Sequence, residues 1–208
     1  GRIGWGAINS VPEGPGVYAW YYNPRFTRHD RLALETTLAS DPSAQNIENF
    51  IAKHLFKYFE EAPYEVTIRG PLKAAYSGNV FEERSVTPEL SQRLAEDADR
   101  RAILWNAIEM MVPFFAAPLY IGMAQNLRTR LRRHKSLIEG GLEKLRFDPA
   151  RDQTYRKDAG FASEVLRRRL AIERLSVYIL ELPVGARETA ADVENLLNRI
   201  NYPVLGRN

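Results

Sequence analysis

The densest run of side chains able to engage phosphate is LRTRLRRHKSLIEG, which places Arg128, Arg130, Arg132, Arg133, His134 and Lys135 on one helix-forming stretch. An arginine stays charged at any working pH, and its planar fork matches phosphate oxygens. Not all of these can meet one ligand: Arg128 and Arg132 are four apart and share a face, whereas Arg133 lies about 100° further round. His134 sits one turn beyond Arg130, where it can contact a phosphate or assist a base. Arg167 and Arg168, next to Arg169, form a second basic group. Glu194, near the start of the last helical stretch, is a hard oxygen ligand suited to Mg²⁺, which keeps most of its waters and takes one or two carboxylates. Tyr18 and Tyr120 sit on short strand candidates. A phenol with an ordinary pKa of about 10 accepts a proton at neutral pH only where nearby cations depress it. Together these groups cover the needs of phosphodiester hydrolysis: a positioned water, a cation for the developing charge and a proton acceptor. Residue type alone does not select them, because surface carboxylates, solvated arginines and packed strand tyrosines are all common. His29 and His54 have no partner at metal-ligand spacing, and His54 lies on the apolar side of its helix, which points to a core role.

The elements that must position these groups follow from apolar period and breakers. Val17 to Tyr22 is β-branched and aromatic between Pro12-Glu13-Gly14-Pro15-Gly16 and Asn23-Pro24, a strand bounded by turns. Residues 27–44 are polar. A helix is expected over 46–61, a hairpin over 64–68 and 72–76, and one helix from Thr87-Pro88 to about Met111, with Thr87 as N-cap. Pro118 to Met123 is a short strand, and Asn126 opens the basic helix, which is expected to stop at Gly140-Gly141. A polar loop spans 146–158, a short helix 161–169, a strand 175–182 and a final helix 187–200.

Three separated pieces fit one pattern. PGVY (15–18), YIGMAQNLRTRLRRH (120–134) and ENLL (194–197) followed by Pro203 resemble the GIY-YIG nuclease superfamily. Its signature is a Gly-Ile/Val-Tyr strand, a Tyr-Ile-Gly strand, an arginine ten residues after the second tyrosine and a glutamate on a later helix. The resemblance implies that Glu194 holds a divalent metal, Mg²⁺ or Mn²⁺. It implies Arg130 on the scissile phosphate, Tyr18 and Tyr120 positioning or deprotonating water, and His134 beside them. Met123 stands where many members carry lysine, and Gly206 stands where they carry asparagine. The resemblance covers residues 12–22 and roughly 116–208. Tyr18 and Tyr120 are 102 positions apart, so residues 24–115 read as an insertion into a core of 1–23 plus 116–208.

The chain has 208 residues, 29 Lys plus Arg, 26 Asp plus Glu and no cysteine. A disulfide-stapled fold, a cysteine zinc site and thiol catalysis are excluded. No uninterrupted apolar run is long enough to span a bilayer. The chain starts at Gly1 and shows no basic segment followed by an apolar one, as expected for a piece of an intracellular, cytoplasmic protein with no membrane partner. Residues 1–100 carry 11 basic and 14 acidic groups and residues 101–208 carry 18 and 12, so a phosphate-bearing partner prefers the second half. The expected fold is α/β (α+β): a small mixed sheet from strands near 17–22, 118–123 and 175–182, flanked by helices, with an inserted α+β subdomain. The expected function is a Mg²⁺-dependent endonuclease acting on DNA, with RNA left open, in restriction or phage defence. Arg128, Arg132, Arg133, Lys135, Arg167 and Arg168 would bind nucleic acid, and the insertion would recognise targets or regulate. Two other readings are a nucleic-acid-binding module that has lost cleavage and a regulated effector domain of a larger protein. Self-association is compatible with each.

Overall fold

The protein is seen in a computed structural model, and the described residues are 1–59, 64–71, 73–80, 84–147, 160–183, 185 and 187–205. The architecture is mixed α and β. The chain divides into two compact units: Gly1–Arg25 with Asn106–Asn208, and Phe26–Trp105. The boundaries read from the sequence were 23/24 and 115/116.

The first unit is built on a four-stranded sheet of β1 (Arg2–Gly4), β2 (Gly16–Tyr22), β5 (Tyr120–Ala124) and β6 (Leu175–Glu181), in the order β1-β6-β2-β5. Every pairing is antiparallel, so the sheet is not the mixed one expected. The reason is positional: β5 and β6 run the same way, but β2 lies between them and pairs with both. β1 and the following 3₁₀ segment Trp5–Ser10 carried no strand or helix signal long enough to read. Alternation along β2 sorts the side chains. Val17 and Ala19 join Ile121 and Met123 on the face that packs against Ala190, Val193 and Leu197 of α7 (Arg187–Asn201). Tyr18, Trp20 and Tyr22 point to the other face and are buried. There Tyr18 and Trp20 meet α5 (Leu127–Phe147) and Trp20 meets α6 (Phe161–Arg167), stacked on Phe161 at 5.1 Å between ring centroids.

Helix α5 runs through Gly140-Gly141, which the sequence had suggested as its stop. Gly141 is buried, and a Cβ there would run into Leu166 of α6. This glycine lets two helices approach; it does not end one. Of the loop expected at 146–158, Arg146 and Phe147 belong to α5, and residues 148–158 lie outside the described set.

The second unit contains α1 (Arg28–Ser40), α2 (Ala44–His54), a 3₁₀ turn Phe56–Tyr58, the hairpin β3 (Tyr64–Gly70) and β4 (Lys73–Val80), α3 (Pro88–Glu96) and the start of α4 (Ala98–Phe115). Helix α1 falls in the polar stretch 27–44, whose weak apolar period hid it. A capping box fixes its start: Asp30 N donates to Thr27 Oγ1 at 3.1 Å and Thr27 N to Asp30 Oδ2 at 3.0 Å. The single helix expected over 87–111 is two, because Asp97 is extended and its Oδ1 accepts from Arg100 N at 2.8 Å, capping α4. Phe26, Phe50 and Trp105 form the aromatic core, and half-buried His54 stacks on Phe50 at 4.5 Å. Arg101 is buried as well. Its Nε donates to Glu35 Oε1 at 2.9 Å, its Nη2 to the other oxygen, and its Nη1 to the carbonyls of Leu94 (2.6 Å) and Ala95 (3.1 Å).

Candidate active site

Strand pairing sets Tyr18 opposite Gly122 and Trp20 opposite Tyr120, so the two tyrosines meet diagonally across β2 and β5. Their ring centroids are 6.2 Å apart. The pair closes although 102 residues separate its members in the chain. Gly122 makes room for it: a Cβ there would stand 2.6 Å from Tyr18 Oη and 2.8 Å from Tyr120 Cε1, inside any real contact distance. The sequence marked Gly122 only as part of a motif; its steric task shows in the register.

Helix α5 delivers the next two groups. Leu127, Leu131 and Ile138 form its buried stripe, and His134 lies on that stripe, 6 % exposed. Its Nε2 is 2.9 Å from Tyr18 Oη, and Arg130, one turn earlier, donates from Nε to the same oxygen at 3.2 Å. The phenol oxygen of Tyr18 is thus shared by a cation and an imidazole.

The helix start is fixed by the segment that precedes β2. Leu127 N donates to Gly14 O at 3.0 Å, Arg128 N to Pro12 O at 3.2 Å and Thr129 N to Asn126 Oδ1 at 2.9 Å. The first-turn amides are therefore occupied within the chain.

Electrostatics separates the members. His134 is boxed by Tyr18, Trp20, Tyr120 and Phe161, whose centroids lie 5.4 to 6.5 Å from its own. Burial, reinforced by the Arg130 and Arg133 charges, pushes its pKa down to about 3, so it is neutral at physiological pH. Its Nδ1 is buried with no hydrogen-bond partner. A buried N–H without an acceptor costs more than a bare lone pair. The tautomer protonated on Nε2 follows, with His134 donating to Tyr18.

Tyr18 is driven well above the ordinary phenol range by burial, then by Tyr120. Its hydrogen bond to Arg130 and the Arg130 charge oppose that rise, and Glu194 adds to it. The depression expected from neighbouring cations is therefore outweighed by burial, and Tyr18 is protonated at neutral pH. Arg130 is held above its ordinary value mainly by the Tyr18 hydrogen bond, and Tyr120 contributes in the same direction.

Glu194 is half-buried on α7 and near enough to act electrostatically on Tyr18. Among the described residues no three His, Asp or Glu side chains converge on a metal position. A single carboxylate does not suit zinc, which is held by three or four protein ligands. It does suit Mg²⁺, which retains water and fills its shell from substrate oxygens.

Most of the arginines expected to bind nucleic acid are engaged within the chain. Arg128 donates to Val11 O at 2.5 Å and pairs with Glu13 at 2.6 Å. Arg132 donates to Asn9 O at 3.2 Å. Lys135 sits 3.9 Å from Glu139 and 6.0 Å from the centre of the Trp5 ring. Arg167 and Arg168 clasp Glu164, at 2.5 and 3.3 Å. Burial pushes that carboxyl up, but the two guanidiniums outweigh it and hold it below the usual range. Arg133 is exposed. The basic run thus includes residues that brace the segment 9–13 against α5, a use invisible in spacing alone. No family model, curated protein or solved structure matches the chain.

Proposed function

We propose that this chain is a divalent-metal-dependent endonuclease that hydrolyses phosphodiester bonds in DNA, acting in restriction or phage defence. What carries the reading is the contact of Tyr18 with Arg130 and His134, beside Tyr120 and within electrostatic reach of Glu194. These are the five residues that the resemblance to GIY-YIG nucleases singles out, drawn from four separate elements.

Arg130 is hydrogen-bonded to Tyr18, through Nε, and to Tyr120, phenol hydroxyls rather than a carboxylate, so its positive charge is kept for a phosphate oxygen. His134, donating from Nε2, and Arg130 together occupy the acceptor side of the Tyr18 oxygen. The phenolic proton is then directed toward the substrate. Tyr120 is the more exposed of the two hydroxyls and the one with access to the attacking water. The water oxygen bonds to phosphorus as the bond to the leaving sugar oxygen breaks. The water proton passes to the site or to solvent, and the leaving oxygen takes one up. A bound divalent ion would supply positive charge at the phosphate, with Glu194 as its protein ligand.

The test is incubation of supercoiled plasmid with the chain in Mg²⁺ or in chelator, beside Glu194→Ala and Arg130→Ala. Nicked or linear product that needs both metal and Glu194 supports the proposal, and discrete fragments support restriction. Salt-sensitive retardation of the plasmid without cleavage replaces it with a binding module.

A further inference from the structure

Helix α4 ends in a stretch that is apolar on all sides. Between Asn106 and Pro118 the only charged residue is Glu109. Ile108 and Val112 are half-buried, while Met110, Met111, Phe114 and Phe115 are 71, 48, 73 and 77 % exposed. Positions 110, 111, 114 and 115 recur at helical spacing and form one stripe over two turns. A helix apolar all round belongs in an interior, and these four side chains have none. Their exposed fractions amount to roughly 600 Å² per chain, at the upper limit of the patches monomers show and close to the ~800 Å² each partner gives a standard interface.

We propose that this stripe is the surface on which two copies of the chain associate about a two-fold axis, α4 against α4. The chemistry narrows the occupant. The segment 106–118 carries no lysine or arginine, so nothing on it draws a nucleic-acid backbone or an anionic bilayer. A second copy fits because an isologous contact is self-complementary, and the methionines adapt to their symmetry mates. If the chain is the nuclease proposed above, a two-fold pair also sets one site against each strand of a duplex, whose strands share that symmetry. Only that last point rests on the nuclease reading; the association does not.

Sedimentation velocity of the full chain, in a concentration series reaching tens of micromolar, tests it. The expected wild-type species has twice the 23.8 kDa protomer mass. Phe114→Asp should sediment as the protomer. Leu137→Asp, at a 53 % exposed site on α5, should remain paired. Because the chain has no cysteine, Met111→Cys gives a single thiol, and oxidation should join two chains. A wild type at protomer mass throughout overturns the proposal, and so does a Phe114→Asp variant that stays paired. Should Phe114→Asp lose its helical circular dichroism, Met110→Ser carries the same readout. Pairing that Phe114→Asp abolishes, in a protein that cuts no DNA, upholds the interface and sinks only the nuclease reading.

Discussion

Each unit holds an arginine wedged among packed elements, and the two are satisfied differently. In the second unit, Arg101 gives its fork to a carboxylate and its remaining donors to two carbonyls. In the first, Arg130 meets the hydroxyls of Tyr18, through Nε, and of Tyr120, and the histidine sharing the Tyr18 oxygen leaves Nδ1 bare. An arginine paired with a carboxylate holds a fold; an arginine whose charge meets phenol hydroxyls beside an unpartnered imidazole nitrogen is set for an anionic ligand. Charge follows the same division. The unit 26–105 carries 10 basic and 13 acidic residues and the rest of the chain 19 and 13, so phosphate is drawn to the unit holding Arg130.

Exchanging the two roles is the sharpest way to break this contrast. Arg130→Ala should lower plasmid cleavage by about a thousandfold with little change in melting temperature, by analogy with losing a charge-stabilising donor. Arg101→Ala should do the reverse, leaving the per-molecule cleavage rate intact. It should cost about 2–3 kcal/mol in denaturant unfolding, less than for a fully buried pair because Glu35 is 42 % exposed. Parallel losses of rate and stability in both variants would erase the distinction.

Gly122→Ala comes next. The added methyl displaces Tyr18 or Tyr120, so cleavage should fall about a hundredfold, with about 1–3 kcal/mol of destabilisation from overpacking. The pH dependence of stability follows. The His134 pKa is about 3 folded, against about 6.5 unfolded. Below 6.5 the unfolded chain takes up a proton that the folded chain refuses. The His134 contribution is therefore complete above that pH and declines as pH falls toward 3, by at most about 1.4 kcal/mol per unit. Chemical unfolding between pH 7 and 5 should show this slope, and His134→Gln should flatten it. The smallest effect belongs to the second unit: Thr27→Ala removes the α1 capping box and should cost about 1 kcal/mol at unchanged specific activity.

The sequence reached the strands at 17–22 and 175–182, the basic helix and the final helix because each has a strong period and clear breakers. It missed α1, whose apolar period is weak and whose start is a local side-chain exchange at Thr27 and Asp30. It ended α5 early because a glycine at a tight helix crossing reads like a cap until Leu166 is seen beside it. The five candidate site residues were nameable from motif spacing, yet their balance was not. The rise in the Tyr18 pKa comes first from burial, a property of the packed core. The internal partners of Arg128 and Arg132 are backbone carbonyls at Val11 and Asn9, and carbonyls leave no trace in residue type.

The position of β2 also governs the order in which the molecule can be made. Tyr18 pairs with Gly122 on one side and Ile179 on the other, so this strand, once made, has neither of these neighbours until about a hundred further residues exist. The segment 26–105 is a compact unit of its own and can close while β2 waits. Long-range closure of this kind slows folding. The sheet at the candidate site is thus completed only after β6 is made, and an incomplete chain ending before residue 175 would carry both tyrosines, Arg130 and His134 without the sheet that aligns them.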